Sequence, residues 1–310
     1  AIGARSRPAF SRCAQAVAGM GGDKNAVKEW GIIGMICALA IGGVLLIAQS
    51  AEQPRRNSGA IPGLPIGGQF QPRRNGVPRW QLDAELPNDV FTFVRVRYTS
   101  YGGRGRKWAT DYPDADLNFS YRLQELTSLK VDPDGRVLEL TNPQLFNYPF
   151  IYMSEPGDLY FDDAEVKALR KYLLNGGFMM VDDFWGGDEY DNFAAEMKRV
   201  FPKREPKELP LEHPIFHNVF NLKERPQVPS IGPATKGQMF EWRPGPDDGS
   251  EVHYRGLFDD EGRLMVIICH NTDLADGWER EGENHYYFKT FSEPKAYPMG
   301  INIIIYAMTH

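Results

Sequence analysis

The chain has 310 residues, of which 42% are hydrophobic and 25% charged, a composition typical of a globular protein with a substantial core. Its formal net charge of −6 is unevenly distributed, because residues 1–80 carry ten Lys and Arg against three Asp and Glu. The acidic remainder argues against nucleic-acid binding, which requires clustered Lys and Arg at the phosphates.

The first predicted element is a membrane anchor. Residues 31–48 form an uncharged, largely apolar run of 18 residues, long enough as a helix to cross the ~30 Å hydrocarbon core. A signal peptide is the alternative, since Ala48-Gln49-Ser50 resembles a cleavage site, but the apolar region of a signal is usually only ~7–15 residues long. We therefore expect a basic N-terminal segment at 1–29 and a transmembrane helix at 30–50.

The orientation of this helix is weakly specified, because basic residues flank it on both sides. We favour the short N-terminus inside and the body outside. Gly34, Ala38 and Gly42 are spaced to allow close approach of a second helix, which is consistent with protein partners in the membrane.

The three cysteines, Cys13, Cys37 and Cys269, form no disulfide framework, so they do not identify the redox compartment.

Residues 51–88 are rich in Pro, Gly, Arg, Asn and Gln, with an imperfect echo between "QPRRNSG" and "QPRRNGV". They lack the apolar periodicity that would fold them. We expect a linker, either an extended tether or a strap on a partner.

Residues 89–310 show alternating strand and helix patterns and are expected to form one α/β domain. The predicted strands are 90–100, 137–140, 150–154 and 178–183, and the predicted helices are 114–129, 162–177 and 188–201. This alternation predicts a mostly parallel sheet covered by helices on both faces, a three-layer α/β sandwich.

The pattern after residue 201 is less regular. A loop with a short helix is expected at 211–222, followed by a hairpin in which strands 251–258 and 263–270 flank the turn "DDEG". The apolar final segment, 297–310, fits either a helix or a strand.

The strip "GGFMMVDDFWGG" presents Asp182, Asp183 and Trp185 directly after an apolar run. A continuous apolar run is typical of a strand buried on both faces, and the residues that follow such a strand lie at the ligand-binding edge of the sheet. The two carboxylates could bind a metal, act as acid and base, or bond sugar hydroxyls. The alternative is structural: one caps the next helix and the other bonds loop amides.

A glycine-rich basic loop, "YTSYGGRGRKW", follows the first strand. Gly102, Gly103 and Arg104 could hold an anion, with Trp108 nearby, although the loop matches neither a dinucleotide fingerprint nor a phosphate loop. A solvated, mobile basic loop is the competing interpretation.

The third candidate is "CHNTDLADGWERE", where His270, Asn271, Asp273 and Asp276 follow a strand. These groups could contact a polar ligand, bind a divalent metal or simply order a turn. We favour the polar ligand and expect neither a metal nor a cofactor. No G-x-S-x-G elbow is present, and Cys269 fits a small buried residue better than a nucleophile.

Several blocks together resemble the bacterial family called domain of unknown function 4159. The blocks are "FTFVRVRY", "WATDYPDADLNFSYRLQELT", "YFDDAEVKALRKYLLNGGFMMVDDFWG", "HPIFHNVF", "HNTDLADGWE" and "AYPMGINIIIYAMTH". More remotely, helix-GG-strand followed by "HPIF" is similar to the trehalose-utilisation-like branch of the class I glutamine amidotransferase-like fold. This resemblance implies a flavodoxin-like sandwich and, by analogy, a sugar-like ligand.

The chain departs from those relatives at the decisive positions. No cysteine motif stands where an amidotransferase has its nucleophile, and Asp182 and Asp183 replace the histidine that trehalose-utilisation-like proteins tend to carry. Amidotransferase chemistry is therefore not expected.

We expect a single-pass protein of the bacterial inner membrane with a periplasmic, non-catalytic domain that binds a ligand or protein within an envelope assembly. Its site would combine Asp111 with the candidates above at one sheet edge. The alternatives are a hydrolase acting on a glycan or related polar substrate, with Asp183 or Asp182 as base and His270 as acid, and a purely structural subunit.

Overall fold

A computed structural model describes residues 76–82, 89–100 and 107–310. Its strands are β1 (Val94–Arg97), β2 (Thr99–Ser100), β3 (Arg136–Glu139), β4 (Phe150–Ser154), β5 (Leu159–Tyr160), β6 (Phe178–Asp182), β7 (Lys207–Glu208), β8 (His253–Phe258) and β9 (Leu264–His270). Its α-helices are α1 (Asp114–Leu126), α2 (Asp163–Leu174), α3 (Gly186–Val200), α4 (Ile231–Ala234), α5 (Leu274–Glu279), α6 (His285–Tyr287) and α7 (Tyr297–Thr309). A π-helical segment, Phe288–Ala296, joins α6 to α7.

Seven of these strands form one sheet in the order β3-β1-β4-β6-β9-β8-β7. The first five run parallel, and β8 and β7 continue the sheet in antiparallel pairing. Parallel strands point the same way, so the segments that follow β1, β4, β6 and β9 all emerge at one edge, which we call the carboxyl edge.

Two apolar cores lie on the two faces of this sheet. Side chains of α1, α5 and α7 form one core, and side chains of α2 and α3 form the other. Successive strand residues alternate between them: Tyr152 and Met180 belong to the first, and Met153 and Val181 to the second. The sheet is therefore the middle layer of three, and every residue of β4, β6 and β9 is buried.

A buried ion pair ties β1 to α1. Arg95 is 0% exposed, and its Nε and Nη2 donate to the Asp116 carboxylate at 3.1 and 2.6 Å. Its Nη1 donates to the backbone oxygens of Trp108 (3.0 Å) and Thr110 (2.9 Å), and the guanidinium lies 4.9 Å from the ring centre of Tyr152. One side chain thus fixes the helix and the segment that leads to it.

The predicted α/β organisation with a mostly parallel sheet is confirmed. The strand predicted at 150–154 has those bounds, and the helix predicted at 162–177 begins after Asp162, which forms a capping box with Glu165. The final segment is a helix, which settles the choice left open by its apolar run.

Other boundaries differ from prediction. The strand expected over 90–100 is divided into β1 and β2 at Tyr98, whose hydroxyl donates to the backbone oxygens of Ser154 and Glu155. The helix expected from 188 begins at Gly186. The π-helical segment carries Pro294, and no sequence periodicity indicated it.

The predicted transmembrane helix at 30–50 and the basic segment at 1–29 lie outside the described residues. Within 76–82, 89–100 and 107–310, no helix is long and apolar enough to cross a membrane. The described end of the predicted linker contacts the domain: Trp80 Nε1 donates to the Val131 oxygen at 2.7 Å, and Arg79 pairs with Asp134.

We predict that Arg95→Met destabilises the full chain by about 3–5 kcal/mol, because it leaves the Asp116 carboxylate buried without its partner. Adding Asp116→Leu to that variant should recover part of the loss, since no lone charge is then buried. Urea unfolding of Arg95→Met, of Asp116→Leu and of the double variant measures this coupling.

Arg97→Met in the same strand is the matched control. Arg97 is 40% exposed in its side chain and pairs with Glu139, so its loss should cost about 0–1 kcal/mol. If the double variant loses as much free energy of unfolding as the two single variants lose together, Arg95 and Asp116 do not act as a pair.

Candidate functional site

Segments that follow four parallel strands line a cavity of about 260 Å³ at the carboxyl edge, which we call the edge cavity. Asp111 follows β1 and β2, Glu155 follows β4, Asp183 follows β6, and Asp273 follows β9. The long connection between β7 and β8 adds Ser230, Glu241 and Arg243. The cavity is thus built by loops that the sheet brings together, not by one continuous motif.

Charged side chains dominate the walls of the edge cavity. Its carboxylates are Asp111, Glu155, Asp183, Glu189, Glu241, Asp273 and Asp276, and its cations are Lys107, Arg243 and Arg280. Each cation is engaged with carboxylates: Lys107 pairs with Glu155, Arg243 lies 3.3 Å from Glu189 and 3.4 Å from Glu241, and Arg280 lies 3.0 Å from Asp276.

Three carboxylates, Asp111, Asp183 and Asp273, form what we call the acidic triad. One oxygen from each lies within 4.8 Å of the others. Burial raises the pKa of all three well above the ordinary value of an aspartate, and neighbouring carboxylates raise it further. Full ionisation of the triad is therefore unfavourable unless a positive charge binds beside it.

The backbone at the carboxyl edge is unusual. Among the described residues, the non-glycine positions with positive φ are Asp111 (62°), Glu155 (44°), Asp183 (62°) and Asn271 (60°). Such conformations cost energy and cluster at functional sites. At Asp183 this turn lies directly after the end of β6, where the residue lines the edge cavity.

Asp182 and Asp183 have different environments. Asp182 is fully buried, and its Oδ2 accepts from the Ala275 amide of α5 at 3.1 Å and from the Tyr152 hydroxyl at 3.5 Å. Burial raises the pKa of Asp182 to about 7, against the lowering effect of those backbone amides. Asp182 thus connects β6 to the start of α5, and only Asp183 lines the cavity.

Trp185 also lines the edge cavity and is 1% exposed. The loop that packs against it requires glycine, because Gly249 has φ +90° and an added Cβ would lie 2.3 Å from the Glu241 oxygen. Among the described residues, the Trp185 Nε1 has no hydrogen-bond acceptor.

His270 and Asn271 hold the surrounding loops and are absent from the cavity wall. His270 is fully buried; its Nε2 lies 3.0 Å from the Gly186 oxygen, and its Nδ1 lies 3.1 Å from Arg255 Nη1. The side chain of Asn271 accepts from the Gly186 N–H through Oδ1 at 2.7 Å and donates from Nδ2 to Asp247 Oδ1 at 2.9 Å. Both residues fix the N-terminus of α3 against the loop that bears Asp247.

The remaining candidates lie elsewhere. Trp108 is buried in the core beneath α2 and α3, and it offers its backbone oxygen to Arg95. Gly102, Gly103 and Arg104 fall outside the described residues. The structure thus brings Asp111, Asp183, Trp185 and Asp273 to one cavity, and it gives Asp182, His270, Asn271 and Trp108 contacts in the surrounding fold.

Sequence reasoning missed most of the ion-paired residues of the wall. Glu155 follows β4 as Asp183 follows β6, so the strand-end rule that singled out the aspartates also applied to it. Glu241 and Arg243 belong to the irregular connection between β7 and β8, where no periodicity marked them. Asp276 was one of the candidates for a polar ligand, a metal or a turn, and it lines the wall.

The fold and the cavity define a three-layer α/β protein with a charged site at the carboxyl edge of a mostly parallel sheet. The family model described as Domain of unknown function (DUF4159) matches residues 92–308, and the chain belongs to this family. None of the curated proteins compared with the chain matches it.

We predict that His270 makes the free energy of unfolding depend on pH in the acidic range. Burial lowers the pKa of His270 to about 4, against the opposing effects of the Gly186 carbonyl and Asp247, while Arg255 and His253 lower it further. An unfolded histidine titrates near pH ~6.5, so the unfolded chain binds the extra proton between pH ~6.5 and ~4. Neutral His270 therefore contributes up to about 3 kcal/mol to the free energy of unfolding. This contribution is complete above that pH window and is lost as the pH falls through it.

His270→Gln should therefore lose less of its free energy of unfolding than the wild type between pH ~6.5 and ~4. His285→Gln, which alters an exposed histidine, is the control and should follow the wild-type curve. Parallel curves for His270→Gln and the wild type would contradict the prediction.

Proposed function

We propose that this protein is a membrane-anchored component of a bacterial envelope assembly, and that its α/β domain binds a small polar ligand in the edge cavity without transforming it. The observation that carries the proposal is the wall itself, where loops from four strand ends and one long connection present charged groups to about 260 Å³ of space. Small-molecule sites are concave, and convergent polar groups in them fix the orientation of the ligand.

The strand order supports this position for a ligand. In sequence order, the five parallel strands are arranged 2-1-3-4-5, the order of flavodoxin-like doubly wound sheets. Their order reverses between β1 and β4, and ligands of such sheets bind at the carboxyl edge near that reversal. Asp111 and Glu155 follow those two strands and line the cavity. We accordingly propose a flavodoxin-like fold of the class I amidotransferase-like type.

Binding without turnover fits the geometry better than hydrolysis. The acid and base of a hydrolase must both reach one substrate or a shared water. Asp183 lines the cavity, but His270 does not, and both of its ring nitrogens are engaged with Gly186 and Arg255. Cys269 is fully buried, and burial raises the pKa of its thiol well above the usual range.

The ligand we propose is polar and sugar-like. The edge cavity offers acceptors from its carboxylates and a donor from Trp185, the mixture that hydroxyl groups require. Trp242, which is 64% exposed, stands in the sequence between the wall residues Glu241 and Arg243. We propose that its exposed indole packs on the apolar face of the sugar ring.

Membrane attachment and protein partners rest on the amino-acid sequence. The apolar run at 31–48 supports an anchor, and its small residues support helix contacts with neighbours. We propose a periplasmic location for the domain, with the linker connecting the domain to the inner membrane.

We predict that Trp185→Phe lowers the affinity for the native ligand by about 5–10-fold, because it deletes one donor and keeps the aromatic ring. The full chain is isolated from its native membrane, and native mass spectrometry identifies the bound small molecule and its occupancy. The variant should retain its fold and lose occupancy.

Trp278→Phe is the matched control. Trp278 is equally buried, and its Nε1 also lacks an acceptor among the described residues, but it packs in the core of α1, α5 and α7. It should keep wild-type occupancy. Equal ligand occupancy in Trp185→Phe and Trp278→Phe would show that the ligand does not bind in the edge cavity. Release of a cleaved product would favour the hydrolase.

A further inference from the structure

The charges of the edge cavity do not balance within the wall. Lys107, Arg243 and Arg280 each pair with neighbouring carboxylates. The acidic triad, Asp111, Asp183 and Asp273, has no ion pair with any cation of the described residues. Its three carboxyl groups are left close to one another with no cation among the described residues paired to them.

The members of the triad come from three separate parts of the chain. Asp111 precedes α1, Asp183 follows β6, and Asp273 caps α5 by accepting from the Asp276 amide at 2.7 Å. Only one oxygen of Asp273 is used in that bond. Like charges held within 4.8 Å by three rigid elements repel one another unless a cation or a proton lies between them.

Two further observations indicate a ligand at this point. Asp111 Oδ2, an oxygen of the triad, is buried and has no hydrogen-bond partner among the described residues. Trp185, 1% exposed on the same cavity wall, has an indole Nε1 without an acceptor there. Buried polar groups are normally satisfied, and these two belong to residues that line a cavity able to hold a partner, whereas Trp278 packs in the core.

We propose that the acidic triad binds one hard divalent cation, Ca²⁺ or Mg²⁺, which in turn holds an oxygen of the polar ligand. Carboxylate oxygens are the ligands these ions prefer. Oxygens on opposite sides of Ca²⁺ lie about 4.8 Å apart, twice a bond of about 2.4 Å. The triad oxygens lie within that limit. Three carboxylates leave coordination positions open, and the Trp185 Nε1 suits an oxygen bound at one of them.

Two other groups of side chains at the carboxyl edge are less suitable. Asp111 also lies near Asp276 and Glu279, but Arg280 already neutralises those two carboxylates at 3.0 and 2.7 Å. Asp247, His253 and His270 lie close together, but Arg255 Nη1 lies 3.1 Å from His270 Nδ1 and places a positive charge beside them. Of these three groups, the acidic triad is the one without a paired cation in the part of the chain that the structure describes.

The test uses Asp183→Asn in the full chain, solubilised in detergent and stripped with a chelator. Asn accepts the left-handed conformation that Asp183 has, so the substitution changes charge more than backbone. Titration calorimetry and thermal unfolding are measured with Ca²⁺ alone and with Mg²⁺ alone. Asp111→Asn, also at positive φ, is a second variant in case the first fails to fold.

We expect one of the two ions at about 100 times its Kd to raise the Tm of the wild type by about 5 °C or more. In Asp183→Asn the affinity should fall at least about 30-fold, because ligand charge sets the affinity of such sites. Without a cation, this variant should melt at or above the wild-type temperature, since it relieves the repulsion.

Asp158→Asn is the control, because it removes the same charge from a side chain 57% exposed outside the triad and the cavity wall. It should bind the ion as the wild type does. The inference is overturned if neither ion changes the Tm of the wild type, or if Asp183→Asn and Asp111→Asn respond as the wild type does.

The inference rests on the proposed function of the cavity, but the two fail separately. A native ligand that Trp185→Phe weakens, together with no response to Ca²⁺ or Mg²⁺, removes the cation and leaves the ligand site. A cation that Asp183→Asn weakens, with no small molecule bound to the isolated chain, supports the cation site and contradicts the ligand.

Discussion

Arg95 lies in the interior of the sheet, and its guanidinium is the interaction on which the carboxyl edge depends. A buried guanidinium must have its donors satisfied. Three surrounding groups provide the acceptors: the Asp116 carboxylate and the backbone oxygens of Trp108 and Thr110. These contacts set the path of the chain from Trp108 to α1, and Asp111 lies on that path. The position of one member of the acidic triad is thus decided inside the core.

The other parts of the edge cavity are held by comparable contacts. Asp182 bonds the start of α5, which begins just after Asp273, and Asn271 bonds the start of α3, which follows Asp183. Each carboxylate of the triad is therefore close in sequence to a residue whose hydrogen bonds hold the surrounding loops in place. This division of labour lets the cavity groups keep unpaired charge while the neighbouring polar groups stabilise the loops that carry them.

The architecture was predictable because its signals are local. Strand and helix periodicity indicated the parallel sheet, and the rule that ligands lie beyond strand ends indicated Asp183 and Asp273. The different environments of Asp182 and Asp183 were not predictable, since they depend on a left-handed turn and on α5, which is distant in sequence. His270 followed the same rule as Asp183, yet its ring packs against Phe184 and Tyr190 rather than lining the cavity.

The acidic triad itself was beyond sequence reasoning. Asp111 is separated from Asp183 by the whole of α1, β3, β4 and α2, and no spacing rule joins them. The ion pairs that neutralise the rest of the wall involve Glu155, Glu189 and Glu241, so the charge balance became visible only in three dimensions. Metal motifs that can be read from a sequence place their ligands close together in the chain, and this site does not.

The acidic triad is proposed to hold a cation and so to complete a ligand site at the carboxyl edge. Anomalous X-ray diffraction from crystals of the protein grown with Mn²⁺, a hard cation that shares these oxygen ligands, tests this most directly. We expect an anomalous peak about 2.2 Å from oxygens of Asp111, Asp183 and Asp273. Carboxyl groups of the triad that hydrogen-bond to one another, with no peak between them, would contradict it.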